Sequence, residues 1–290
     1  MCKKELARRW FLKGCRYDST GSERDKAIDA YRRSLKYDDE LTDAYVNLGF
    51  IYLAGTDYEK AAKCFQDVVG LEPKNPEAFN NLGYVYEEMK RLGCARQAYR
   101  QASGLDPKNV ETLLNLAKVY ELEGNYHDAV KQYKRAIKQD ADIIAPRFCL
   151  AVLYDNYDMF DEAMEEYQGV LDRDPDHIKG LLNMGNLYVQ LGNNERAIDL
   201  FKRVIALDPD NADACNQLGS VHKSDGNYAE ASASYKRVLS LDPFKEDAHM
   251  ELAEAQYLQY RSKFNGVKKE EVRQRIDYLL AINPDNGKGK

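Results

Sequence analysis

Apolar and small residues recur along this chain at spacings of three and four, the period of a helix that buries one face. They do so in blocks of about 34 residues. Counted from residues 42, 76, 110, 144, 178 and 212, position 20 is Ala61, Ala95, Ala129, Ala163, Ala197 and Ala231. Position 24 is aromatic throughout (Phe65, Tyr99, Tyr133, Tyr167, Phe201, Tyr235), and position 8 is Gly49, Gly83, Ala117, Ala151, Gly185 and Gly219. Position 11 is Tyr52, Tyr86, Tyr120, Tyr154 and Tyr188, then His222. Positions 4, 7, 8 and 11 define one face of a first helix, and positions 20, 24 and 27 one face of a second.

Two apolar stripes in one block must meet, so each block is expected to be a helical hairpin. The small residue at 8 is expected to face Ala at 20, with the aromatics at 11 and 24 on either side. Gly124-Asn125, Gly192-Asn193 and Gly226-Asn227 suit the turn between the helices. Glu72-Pro73, Asp106-Pro107, Asp174-Pro175, Asp208-Pro209 and Asp242-Pro243 end the second helix, because proline cannot continue it. Only the turn at Ala141 lacks its proline.

Tyr45, Leu48, Gly49, Tyr52, Ala61, Phe65 and Pro73 carry a pattern that resembles the tetratricopeptide repeat family. The resemblance implies an all-α solenoid, a right-handed superhelix of helix-turn-helix units. It places a first unit at 1–41, where Trp10, Gly14, Tyr17, Ala27 and Tyr31 fit with one extra residue in the turn. Regular units follow at 42–75, 76–109, 110–143, 144–177, 178–211 and 212–245. A capping unit is expected at 246–285. There Leu252 and Ala253 fit the first helix, and an insertion around Arg261-Ser262-Lys263-Phe264-Asn265-Gly266 delays a second helix marked by Val272, Ile276 and Leu279. The tail from Asn286 to Lys290 is expected to fray. The fifth unit is irregular, with Arg147 at position 4, Pro146 in its first turn, Cys149 at position 6 and Tyr157 where other turns have glycine; a local change of curvature is expected there, or else ordinary drift.

The resemblance also turns positions 2, 5, 6, 9, 12 and 13 of each first helix toward a concave groove. Position 6 supplies Asn47, Asn81, Asn115 and Asn183, a row of amides able to bond the main chain of an extended polypeptide. This is similar to the asparagine ladder in the repeats of O-GlcNAc transferases, although a local helix-to-helix bond would also account for single members. Phe50, Tyr84, Leu114 and Phe148 are candidate apolar contacts, beside Val46, Val152 and Leu182. Glu87, Glu88, Glu121 and Asp155 lie near the ends of first helices, where the helix dipole disfavours a carboxylate. Attraction of a basic partner segment would explain them; so would a solvated face. The lysine and asparagine set of a chaperone-tail clamp is missing.

Composition narrows the classes. With 42 Lys+Arg against 48 Asp+Glu the net charge is −6, which with an acidic groove argues against nucleic acid; the cluster Lys263, Lys268, Lys269, Arg273 and Arg275 is a local exception, read as a solvated helix face. No apolar run reaches the roughly 18 residues that a membrane helix needs. No export signal follows the basic start, so a cytoplasmic location is expected. Six separate cysteines are expected to be free and mostly buried. Four histidines form no HExxH, and GxSxG, GxxxxGK[ST] and GxGxxG are absent, so no metal, cofactor or catalysis is expected.

The function expected is a non-catalytic scaffold holding an extended segment of a partner protein or peptide. Alternatives are self-association, with Gly287-Lys288-Gly289-Lys290 of one copy in the groove of another, and the substrate-recruiting part of a larger enzyme. The start at Met1 and the cap are expected to argue against the latter.

Overall fold

The structure, a computed structural model, describes residues 2–21, 23–263, 273–275 and 277–278, and every regular element among them is helical. The first hairpin is α1 (Lys3–Ser19) and α2 (Arg24–Tyr37). Next come α3 (Thr42–Ala54) with α4 (Tyr58–Leu71), α5 (Pro76–Glu88) with α6 (Leu92–Leu105), and α7 (Val110–Leu122) with α8 (Tyr126–Gln139). Then follow α9 (Ile144–Asn156), α10 (Phe160–Leu171), α11 (Ile178–Gln190) with α12 (Asn194–Leu207), α13 (Ala212–Ser224) with α14 (Tyr228–Leu241), and α15 (Glu246–Lys263). Arg261, Ser262 and Lys263 thus belong to the helix before the expected insertion. Phe264 to Val272, Ile276, Leu279 and the tail from Asn286 to Lys290 lie outside the described residues.

Two compact units, Met1–Pro146 and Arg147–Lys290, divide within the first turn of α9, in the irregular stretch marked by Pro146 and Arg147. In the first unit α1 packs on α2, α3 on α4, α5 on α6 and α7 on α8, while α2, α4 and α6 each also pack on the next first helix. The second unit repeats the scheme with α11 on α12, α13 on α14 and α14 on α15. Successive first helices also touch, α5 with α7 in one unit, and α11 with α13 and α13 with α15 in the other; among the described residues no two second helices pack to the same degree. Within each unit, direct contact between successive hairpins thus involves second helix on first helix and, more weakly, first helix on first helix.

Local chemistry sets the helix ends. Side chains of Asn75, Asn109 and Asn211 accept from the main-chain N–H of Ala78, Thr112 and Ala214 at 3.1, 2.8 and 2.9 Å. These bonds satisfy donors that a helix start leaves open. In α11 the same place is held by His177, whose Nδ1 accepts from Gly180 N at 3.0 Å.

Each turn inside a regular hairpin contains one residue of positive φ, at position 15: Thr56, Lys90, Gly124, Asp158, Gly192 and Gly226. Asp158, rather than Tyr157, is thus the residue standing where other turns have glycine. Thr56 is β-branched and has a positive φ, a conformation that glycine adopts without steric cost. Thr56→Gly is expected to raise stability by about 0.5–1 kcal/mol, read as an increased midpoint in urea.

The core differs from the expected small-against-small packing. A Cβ built on Gly49 would lie 2.7 Å from the Phe65 ring, on Gly83 2.7 Å from Tyr99, on Gly185 2.6 Å from Phe201 and on Gly219 2.8 Å from Tyr235. In these four hairpins the aromatic of position 24 therefore lies over position 8, and Ala at 20 is buried as well. The ring fills the volume that two small residues would leave empty. All six cysteines are free, but only Cys64 and Cys215 are buried; Cys2 and Cys94 are exposed. Burial pushes the Cys64 thiol up to about 11.

Candidate binding surface on the first helices

On the first helices of the first unit, Asn47 and Phe50 come from α3, Asn81, Tyr84, Glu87 and Glu88 from α5, and Leu114, Asn115 and Glu121 from α7. Phe50 and Tyr84 are 46% and 43% exposed, large for aromatic residues. Phe50 meets the buried Phe65 edge-on, with ring centres 5.4 Å apart. Its outer face is thereby presented from a fixed base. Leu114 is half-buried. The second unit carries Phe148 and Asp155 on α9 and Asn183 on α11. Phe148 is half-buried, 5.2 Å from the His177 ring and 6.2 Å from Tyr167.

The asparagines fall into two groups. Asn47 Nδ2 donates to the Tyr31 hydroxyl at 3.0 Å, and Asn183 bonds the Tyr167 hydroxyl, so both tie a first helix to the preceding second helix. Asn81 and Asn115 are half-buried and make no side-chain hydrogen bond among the described residues. Asn81 faces a repeat whose position 24 is Phe65, which offers no hydroxyl. Asn115 follows Tyr99, which donates to Glu87.

The carboxylates of position 12 have partners inside the fold. Tyr99 donates to Glu87 Oε2 at 3.0 Å, Tyr133 to Glu121 Oε2 at 2.9 Å and Tyr167 to Asp155 Oδ2 at 3.5 Å, each bridging the two helices of one hairpin. Where position 24 is phenylalanine, position 12 is apolar: Leu53 goes with Phe65 and Val189 with Phe201. The buried ring needs an acceptor only when it carries a hydroxyl. In the last regular repeat position 12 is Lys223, and Tyr235 donates to Glu251 at 3.0 Å instead, the same carboxylate that pairs with Lys223. Burial raises the Asp155 carboxyl and the Tyr99 and Tyr167 hydroxyls above their ordinary values. Glu88, at position 13, accepts a long bond from Tyr58 at 3.4 Å.

This pairing predicts that Tyr99→Phe lowers stability by about 1 kcal/mol, and that adding Glu87→Leu restores part of the loss by recreating the Leu53–Phe65 combination. Denaturation of the two single variants and the double variant measures the coupling.

A model described as TPR repeat matches residues 51–90 and 185–226, and models described as tetratricopeptide repeat match 88–147 and 212–245. The chain belongs to the tetratricopeptide repeat family. These matches together span more than half of it. No curated protein sequence matches the chain. Among solved structures it is similar to the C-terminal part of a repeat protein from Cytophaga hutchinsonii (17% identity, TM-score 0.69), covering 85% of this chain and 99% of that one. A tetratricopeptide repeat protein from Parabacteroides merdae matches at 17% identity and TM-score 0.63, covering 87% of this chain and 99% of that one. YrrB, a repeat protein with an unusual peptide-binding site, matches at 21% identity and TM-score 0.53, covering 64% of this chain and 96% of that one. At these identities the likeness speaks for the fold.

Among the described residues no group of three His, Cys, Asp or Glu is placed to hold a metal ion, and no helix is long and apolar enough to cross a membrane.

Proposed function

We propose that the chain is a protein-interaction scaffold, and that the concave side of its first unit holds an extended segment of a partner protein. The observation that carries this reading is the pairing of two exposed aromatics, Phe50 and Tyr84, with the two uncommitted amides, Asn81 and Asn115, on successive first helices. An extended chain has main-chain donors and acceptors at short regular intervals, and an amide offers one of each. Phe50, Tyr84 and Leu114 add apolar contact, and rigid aromatic side chains lose little conformational freedom when covered. Asn47 and Asn183 serve the stacking of hairpins first. Glu87 and Glu121 are held by tyrosine hydroxyls, so they meet a partner as fixed carboxylates; Glu88 is the freer charge, and Asp155 is held in the same way in the second unit. A basic residue in the bound segment suits them, with association that weakens as salt is added. Phe148, in the second unit, offers a separate apolar contact.

The test is affinity for a segment captured by the full chain. Asn81→Ala with Asn115→Ala is expected to remove about 1 kcal/mol for each lost hydrogen bond, roughly a fivefold rise in Kd per site. Unchanged affinity, with an unchanged unfolding curve, would remove the amides from the account.

A further inference from the structure

The first hairpin breaks a rule that the regular repeats keep. In those repeats positions 3, 7 and 10 of the first helix are buried and uncharged. Position 3 is Ala44, Ala78, Thr112, Pro146, Gly180 or Ala214; position 7 is leucine or Met184; position 10 is isoleucine, valine or leucine. This stripe receives the second helix of the preceding hairpin: Ala44, Leu48 and Ile51 share a core with Ala27 and Tyr31 of α2, and Leu218 and Val221 share one with Ala197 and Phe201 of α12. In α1 the same three positions are Arg9, Lys13 and Arg16, all exposed. None of the three has a side-chain hydrogen bond or ion pair among the described residues. A cleft of about 800 Å³ runs past Leu6, Arg9, Trp10, Lys13 and Arg16. Lys13 and Arg33 lie over the Trp10 ring at 4.8 and 4.7 Å, which holds two cations near one apolar plate.

We propose that this face of α1 docks an acidic helix of a partner protein. Its shape is argued from the fold: the equivalent face takes a helix in the later repeats. Its sign is argued from charge: Arg9, Lys13 and Arg16 are spaced i, i+4 and i+7, a stripe about 10 Å long, and a helix with carboxylates at the same spacing lies opposite all three. Three cations and no carboxylate give the stripe a single sign of charge, beyond what solubility of a polar face requires. Glu5, Asp25 and Asp29 border the patch, which suits a partner of mixed charge better than a phosphate backbone or an anionic bilayer.

Trp10 is the sole tryptophan of the chain, so its fluorescence reports on the first hairpin alone. The probe is a synthetic alanine-rich helical peptide bearing glutamate at i, i+4 and i+7, added to the full chain, with a glutamine version as control. The expected result is a saturable change in Trp10 emission that shrinks with added salt, is absent with the glutamine peptide, and weakens about tenfold or more in Arg9→Glu/Lys13→Glu/Arg16→Glu. Should that variant unfold, Arg9→Gln/Lys13→Gln/Arg16→Gln takes its place. An unaltered spectrum, or equal binding by the variant and the native chain, overturns the proposal. So does tighter binding to phosphatidylserine vesicles than to the peptide, which assigns the face to membranes. Self-association of the chain that disappears in the variant overturns it too, in favour of a second copy.

Discussion

Phe65→Ala is expected to lower the free energy of unfolding by about 3–5 kcal/mol, the range for removing a large buried aromatic ring. Phe65 is fully buried, lies over Gly49 and supports Phe50 from beneath. No polar atom is left unpaired by the change, so the loss is one of volume and contact. The surroundings can collapse only partly, because Gly49 and Ala61 are already small. Leu122→Ala is the control, because Leu122 is 61% exposed. Its removal is expected to shift stability by about 0.5 kcal/mol or less. Urea unfolding of the two variants measures the contrast. Hydrogen exchange should place the damage in α3, α4 and their neighbours, since each repeat touches only adjacent ones. Loss of Phe65 should also let the Phe50 ring move, linking the core to the binding surface.

Gly185→Val is expected to destabilise by about 2–3 kcal/mol through overpacking. Its new Cβ would stand 2.6 Å from the Phe201 ring, and the branched methyls would have no free rotamer. The ring cannot retreat far, being itself fully buried. Gly93→Ala tests the sign: nothing lies within 4 Å of a Cβ there, and Gly93 is the second residue of α6. The gain should be about 0.5 kcal/mol, less than for a glycine in mid-helix. A pair of glycines in one chain moving stability in opposite directions would separate close packing from backbone freedom. Equal responses would contradict the packing described for position 8.

Much of this is legible in the repeat itself. The spacing of alanine, glycine and tyrosine places both helices of each hairpin, because a buried stripe restricts residue type at every third and fourth position. It names the buried faces without saying which residues touch across them, and so it sets Ala61 against Gly49 where the structure sets Phe65. The acidic residues near the helix ends are visible, and so is the mismatch with the helix dipole, but their partners sit in the next helix along the chain. Comparing column 12 with column 24 reveals the pairing: Glu87, Glu121 and Asp155 accompany tyrosine, Leu53 and Val189 accompany phenylalanine. The same column explains why Asn81 stands apart from Asn47 and Asn183, since Phe65 offers it no hydroxyl; it does not set Asn115 apart, because Tyr99 and Tyr167 both donate to a carboxylate. Arg9, Lys13 and Arg16 escape a count of shared positions, because the first hairpin differs at the positions it does not share with the others.

Site-specific photo-cross-linking tests the central claim most directly. A photoreactive residue placed at the exposed Tyr84 on α5, or at the exposed Arg100 on α6, would be illuminated in the full chain with its captured partner. Cross-links from position 84, mapped to one extended stretch of the partner, with none from position 100, are the predicted result. Cross-links from 100 alone, or from both equally, would contradict the assignment of binding to the first helices.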